Sequence, residues 1–228
     1  NRCATRRGAE RLLPHASESS VTPEALREVR VTQATYIHHR ITAAPRRWQA
    51  VADALARNAA GLPARGGALY GAWRSQIGRP RDEIIAITYW ADAIDADSAE
   101  AALIGTLADI ERATSLAMAP TLRPVDPTPP VRQGNFAFRW FITPETNWSE
   151  FLVLCAQAWP GFEAAYDSQV IGLWQCPGAV RDEASGPLAA GQIRSLLLTR
   201  RPDLAMWERS KLPQGAAETA VRDALSRR

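Results

Sequence analysis

Tyr36-Ile37-His38-His39-Arg40-Ile41, followed by Ala44-Pro45 and Trp48, returns later in the chain as Phe136-Ala137-Phe138-Arg139-Trp140-Phe141, followed by Pro144-Glu145 and Trp148. The aromatic openings and the tryptophans keep one spacing (36 to 136, 48 to 148). A second block agrees to within one residue: Leu69-Tyr70-Gly71-Ala72-Trp73 matches Val170-Ile171-Gly172-Leu173-Trp174 (71 to 172). Two separate blocks repeating together indicate a duplicated unit of about 100 residues, far longer than a solenoid repeat.

Each unit reads alike. Residues 31–41 and 134–142 are β-rich runs bounded by turn residues and read as strands. Trp48, Val51, Ala52, Leu55 and Ala59 then fall on one helical stripe, and Trp148, Phe151, Leu152, Cys155 and Trp159 repeat it. Gly61 with Pro63, and Pro160-Gly161, are expected to stop these helices. Second strands follow at 68–74 and 169–175, and third strands at 84–90 and 193–199. Asp97 and Glu100 resemble a capping pair that opens a long helix with Leu103, Leu107, Ile110 and Ala117 on one face. Helical pattern in the second unit covers 204–210 and 216–225, with no clear fourth strand.

Strand-helix-strand-strand-helix-strand is the ferredoxin-like order, which leaves one sheet face open. A tandem copy can cover that face. The expected fold is therefore α+β: a dimeric α/β barrel built from two tandem ferredoxin-like repeats in one chain. The expected boundaries are an N-terminal tail at 1–29 with a short helix opening at Pro23-Glu24, repeat 1 at 30–125, a Pro-rich linker at 126–130 and repeat 2 at 131–228.

Composition narrows the function classes. The 228 residues are 46% hydrophobic and 22% charged, ordinary globular values. Net charge is only +3, and all 27 basic residues except Lys211 are arginine. With abundant alanine, this reads as a GC-rich bacterial genome and not as a nucleic-acid surface. Cys3, Cys155 and Cys176 are odd in number and widely spaced, as reduced thiols of a cytoplasmic protein would be. No membrane-length apolar run and no secretory pattern occurs. There is no phosphate loop, serine nucleophile elbow or metal-ligand spacing, so no cofactor or metal is expected.

These residues resemble the NIPSNAP family of dimeric α/β-barrel proteins over about residues 31–228. The likeness rests on the aromatic-led first strand with His39 or Arg139, on Gly71-Ala72-Trp73 and Gly172-Leu173-Trp174, on Ile84 to Trp90, and on Leu204-Ala205-Met206-Trp207-Glu208-Arg209-Ser210. The family pattern has an acidic residue and an arginine in the first strand; Ile37 with His39, and Ala137 with Arg139, depart from it. The resemblance implies a fold far more than a reaction.

Strand alternation puts Tyr36, His38 and Arg40 on one face and Ile37, His39 and Ile41 on the other. The all-aromatic set Phe136, Phe138 and Trp140 reads as the helix-packing face, so Arg139, and by the repeat His39, are expected inside the barrel. His39 as general base and Arg139 as anion holder are the catalytic candidates. Trp73, Tyr89, Trp90 and Trp174 are candidate walls for a ligand, with Glu163 and Glu208 as buried carboxylates or arginine partners. The expected function is binding of a small molecule in the barrel cavity, or metal-free catalysis there of monooxygenase, isomerase or cyclase type. A non-catalytic interaction module and, more distantly, haem on His38 or His39 are the alternatives. Self-association as a homodimer is expected from the missing last strand.

Overall fold

The computed structural model describes residues 34–177 and 188–228; the expected tail and its short helix at Pro23-Glu24 lie outside them. The first group of elements is β1 (Thr35–Ala43), α1 (Trp48–Ala59), β2 (Gly67–Arg74), β3 (Glu83–Trp90), α2 (Ala96–Leu103) and β4 (Ile110–Arg123). The second is β5 (Asn135–Pro144), α3 (Trp148–Tyr166), β6 (Gln169–Cys176), β7 (Gln192–Arg201), α4 (Leu204–Arg209) and α5 (Ala216–Ser226). The class is α+β. All seven strands join one antiparallel sheet in the order β2-β3-β1-β4-β6-β7-β5. The halves meet where Ala119 and Pro120 of β4 pair with Gln175 and Trp174 of β6.

Helices cover one face of this sheet. Val51 and Leu55 of α1, with Ala99 and Leu103 of α2, pack on Ile37, Ile41 and Ile84. Phe151, Cys155, Trp159 and Phe162 of α3 pack on Val170, Leu173 and Leu197. The opposite face folds on itself. Tyr36 of β1, Tyr70 of β2, Ile87 of β3, Met118 of β4, Trp174 of β6 and Leu198 of β7 share one core, against which Phe136, Phe138 and Trp140 of β5 also pack. The end strands therefore meet: the Trp73 ring lies 5.5 Å from Phe136 and 5.3 Å from Phe138. Six antiparallel steps separate β2 from β5, so these two run the same way and face each other across a seam of side chains.

The Gly-x-Trp blocks have a mechanical reason. Register slips at Tyr70 in β2 and at Ile171 in β6, one extra residue in each strand. The glycine after each slip lies under the tryptophan two residues on. A Cβ at Gly71 would stand 2.3 Å from the Trp73 ring, and one at Gly172 2.3 Å from the Trp174 ring. Only glycine lets the indole fold back over the bulge.

Four expectations need correction. The helix opening near Asp97 ends at Leu103, and Ile110–Arg123 is a 14-residue strand. Leu116 and Met118 are buried at a spacing of two, and this alternation, not a helical stripe, governs the segment. The cap of α2 is Asp95, whose carboxylate accepts from Ser98 N at 2.8 Å. Pro160-Gly161 does not stop α3, which runs to Tyr166 because Phe162 and Tyr166 beyond the proline are buried. The aromatic set of β5 faces the shared inner core, not the helices, and this inverts the faces assigned to His39 and Arg139.

Candidate functional site

Between the end strands β2 and β5 lies a cavity of about 730 Å³. Ligand pockets span about 300–1,000 Å³, so it could hold an organic molecule. Trp73, Phe136, Phe138 and Trp140 form its aromatic wall, and His38, Arg40, Arg79, Glu83 and Arg194 its polar wall. Strand alternation explains the set: Tyr36, His38 and Arg40 share the inner face of β1, as Glu83, Ile85 and Ile87 share that of β3. Across the seam His38 meets Trp140 edge-on, ring centroids 5.4 Å apart at 80°.

Glu83 is fully buried and accepts from two arginines. Arg40 Nε donates to Oε2 at 2.8 Å, Arg79 Nε to Oε1 at 3.0 Å and Arg79 Nη2 to Oε2 at 3.3 Å. One carboxylate thus fixes two guanidinium planes at the cavity wall, the geometry that makes arginine a selective anion ligand. Arg194 pairs in register with Cys176. Burial pushes the Cys176 thiol up to about 12 against the opposing pull of Arg194, so it is a protonated core thiol and not a nucleophile at neutral pH.

His39 lies on the helix-covered face, fully buried, and not in the cavity. Its Nδ1 is 2.7 Å from Ser115 Oγ, and Ser115 Oγ donates to Glu100 Oε2 at 2.7 Å. Its Nε2 is 3.0 Å from Thr88 Oγ1, which accepts from Trp90 Nε1 at 2.9 Å. The serine proton goes to the carboxylate, so Nδ1 must carry the imidazole proton and Nε2 must accept from Thr88. One donor direction runs through Trp90, Thr88, His39, Ser115 and Glu100. Burial, with His38 adding repulsion, lowers the His39 pKa to about 3. A neutral imidazole with both nitrogens engaged is neither a general base nor a haem ligand.

Among the other expected residues, Trp73 and Arg139 line the cavity. Arg139, however, is exposed on the helix side of β5, in the register of Phe141, which packs on Phe151. Trp90 belongs to the helix-side core. Tyr89 and Trp174 pack around Tyr36 deep inside the curled sheet, at 5.4 and 5.6 Å. Burial raises the Tyr36 hydroxyl pKa, and that of Tyr70 to about 12. Glu163 holds Arg123 at 2.6 Å and accepts from Val170 N at 2.7 Å, the arginine-partner role. Glu208 is exposed and pairs with Lys211 at 2.8 Å. Neither carboxylate meets Arg139. Sequence reasoning missed Arg40, Arg79, Glu83 and Arg194 as site residues and named His38 only as an alternative haem ligand; the usable signal was the alternation of Tyr36, His38 and Arg40 with the opposite face chosen as inner.

Among the described residues no group of three or more His, Cys, Asp or Glu could hold a metal ion, and no helix is long and apolar enough to cross a membrane.

No family model matches the chain, and no curated protein matches it. Among solved structures it is similar to a candidate monooxygenase from Lactobacillus acidophilus (TM-score 0.47, 10% identity, 85% of this chain and 87% of that one). It is also similar to a candidate monooxygenase from Fusobacterium nucleatum (TM-score 0.46, 8% identity, 85% of each chain). A third similar structure is a candidate chlorite dismutase (TM-score 0.42, 12% identity, 85% and 88%). Likeness at this level assigns neither reaction nor substrate to this chain.

Proposed function

We propose that this chain is a NIPSNAP-like member of the dimeric α/β-barrel proteins, made of two ferredoxin-like units in tandem, and that it binds a small, largely planar molecule in the seam cavity. The observation that carries the reading is the cavity itself: aromatic rings from β2 and β5 on one side, with an imidazole and ordered guanidinium groups on the other. The duplicated Gly-Trp bulges of β2 and β6 support the tandem origin. His38, not His39, faces the bound molecule, so metal-free proton transfer of isomerase or cyclase type falls to His38. Cytoplasmic placement is proposed from Cys155 and Cys176, both buried free thiols. A thermal-shift screen of planar bicyclic molecules tests the reading: ligands that raise the melting temperature of the wild type should raise that of a Trp73→Ala variant less. Equal shifts in both proteins would remove the cavity from consideration.

The non-catalytic alternative has its own support. Among the described residues β2 and β5 each pair with one neighbouring strand, and such end strands are suited to assembly as a homodimer.

A further inference from the structure

Glu83 holds Arg79 by one edge only. Nε and Nη2 of Arg79 donate to the two carboxylate oxygens at 3.0 and 3.3 Å, and Arg40 Nε donates to Oε2 at 2.8 Å. The other edge of the Arg79 fork, Nη1 with the second Nη2 hydrogen, engages no described residue, and this side chain is 30% exposed on the cavity wall. Two parallel N–H donors of that kind suit a planar anion with two oxygens. A carboxylate shared by two guanidinium groups balances one of their charges, so the trio accepts one further negative charge. Among the described residues lining the cavity, Glu83 is the only acid, against Arg40, Arg74, Arg79, Arg139 and Arg194.

Exposed apolar side chains line the same cavity. Ile77 lies two residues before Arg79 in the β2–β3 connection and is 67% exposed. Across the seam Ile142 continues the row of Phe136, Phe138 and Trp140 at a spacing of two, and is 48% exposed. Large aliphatic side chains left in water around a cavity mark where the apolar part of a bound molecule rests. We propose that the molecule held in the seam is an amphipathic aromatic carboxylate: its ring lies between Trp73 and the β5 aromatic row, its carboxylate meets the open edge of Arg79, and an apolar substituent leaves over Ile77 and Ile142. The proposal rests on the cavity reading above and adds to it the charge and the shape of the ligand.

Calorimetric titration at pH 7 with 2-naphthoate and 2-naphthol, which share a ring system and differ in charge, tests the anion. Titration with 4-hexylbenzoate and 4-methylbenzoate tests the apolar margin. In the wild type 2-naphthoate should bind about tenfold more tightly than 2-naphthol, as a charge-assisted hydrogen bond provides, and Arg79→Gln should bring that ratio near one. The hexyl compound should bind more tightly than the methyl one, and Ile142→Ser, at an exposed position, should reduce this advantage about threefold. Saturable binding of both naphthalene probes with equal affinity would overturn the proposal and leave the cavity reading standing. A preference for 2-naphthoate that survives Arg79→Gln, or 2-naphthoate binding untouched by Trp73→Ala, would also overturn it. Absence of saturable binding by either probe would remove the cavity reading and this proposal with it.

Discussion

The Nδ1 of His39 lies 2.7 Å from the hydroxyl of Ser115, beneath α2 and away from the cavity. With Thr88 on the other nitrogen, the ring is held neutral in a fully occupied polar chain. The pKa of His39 in the fold is about 3, below the ordinary value near 6.5. A base whose folded pKa is depressed contributes its full stability above the unfolded value and loses it as pH falls toward the folded one. Between pH 6.5 and 5 the protein should therefore lose about 2 kcal/mol from this group. Urea midpoints of wild type and His39→Gln across that range check this: the variant should be less stable at pH 7 but flatter with pH. Parallel curves would contradict the assignment.

Gly71→Ala and Gly172→Ala should each destabilise by about 1–3 kcal/mol, because the added methyl would stand 2.3 Å from an indole carbon. Chemical denaturation of both variants reads the effect. Similar losses would support the same bulge device in β2 and β6, whereas a loss in only one would separate them.

Glu83→Gln should cost about 2–3 kcal/mol, since Arg40 and Arg79 would then face a neutral amide in a buried position. Arg79→Gln should cost less, because Arg40 still neutralises Glu83. A reversal of that order would contradict the placement of Glu83 as the hub of the polar wall.

Light scattering at micromolar concentration should give a homodimer, as the two strand edges suggest. A strict monomer would count against assembly through β2 or β5.

Much of the fold was legible because it is written in apolar spacing. The stripes at Trp48 and Trp148 and the repeated Gly-x-Trp blocks placed α1, β2 and β6 close to their observed bounds, together with the start of α3 but not its end. β4 was not legible: Leu103, Leu107 and Ile110 continue a helical stripe by coincidence, and the alternation of Leu116 with Met118 is visible only once Ile110 is taken as a strand start. The site was half legible for one reason. Phe136, Phe138 and Trp140 could pack on helices or on an opposing sheet, and nothing local to β5 says which. That single choice of face decided whether His38 or His39 pointed inward.

The cavity between β2 and β5 is the centre of this account, and direct titration with 2-naphthol, a neutral planar bicyclic, tests it most plainly. Wild-type protein should bind one equivalent saturably, and Trp73→Ala should bind about threefold to tenfold more weakly through loss of one aromatic wall. Absence of saturable binding, or equal affinity in wild type and variant, would contradict the claim that the seam is a ligand site.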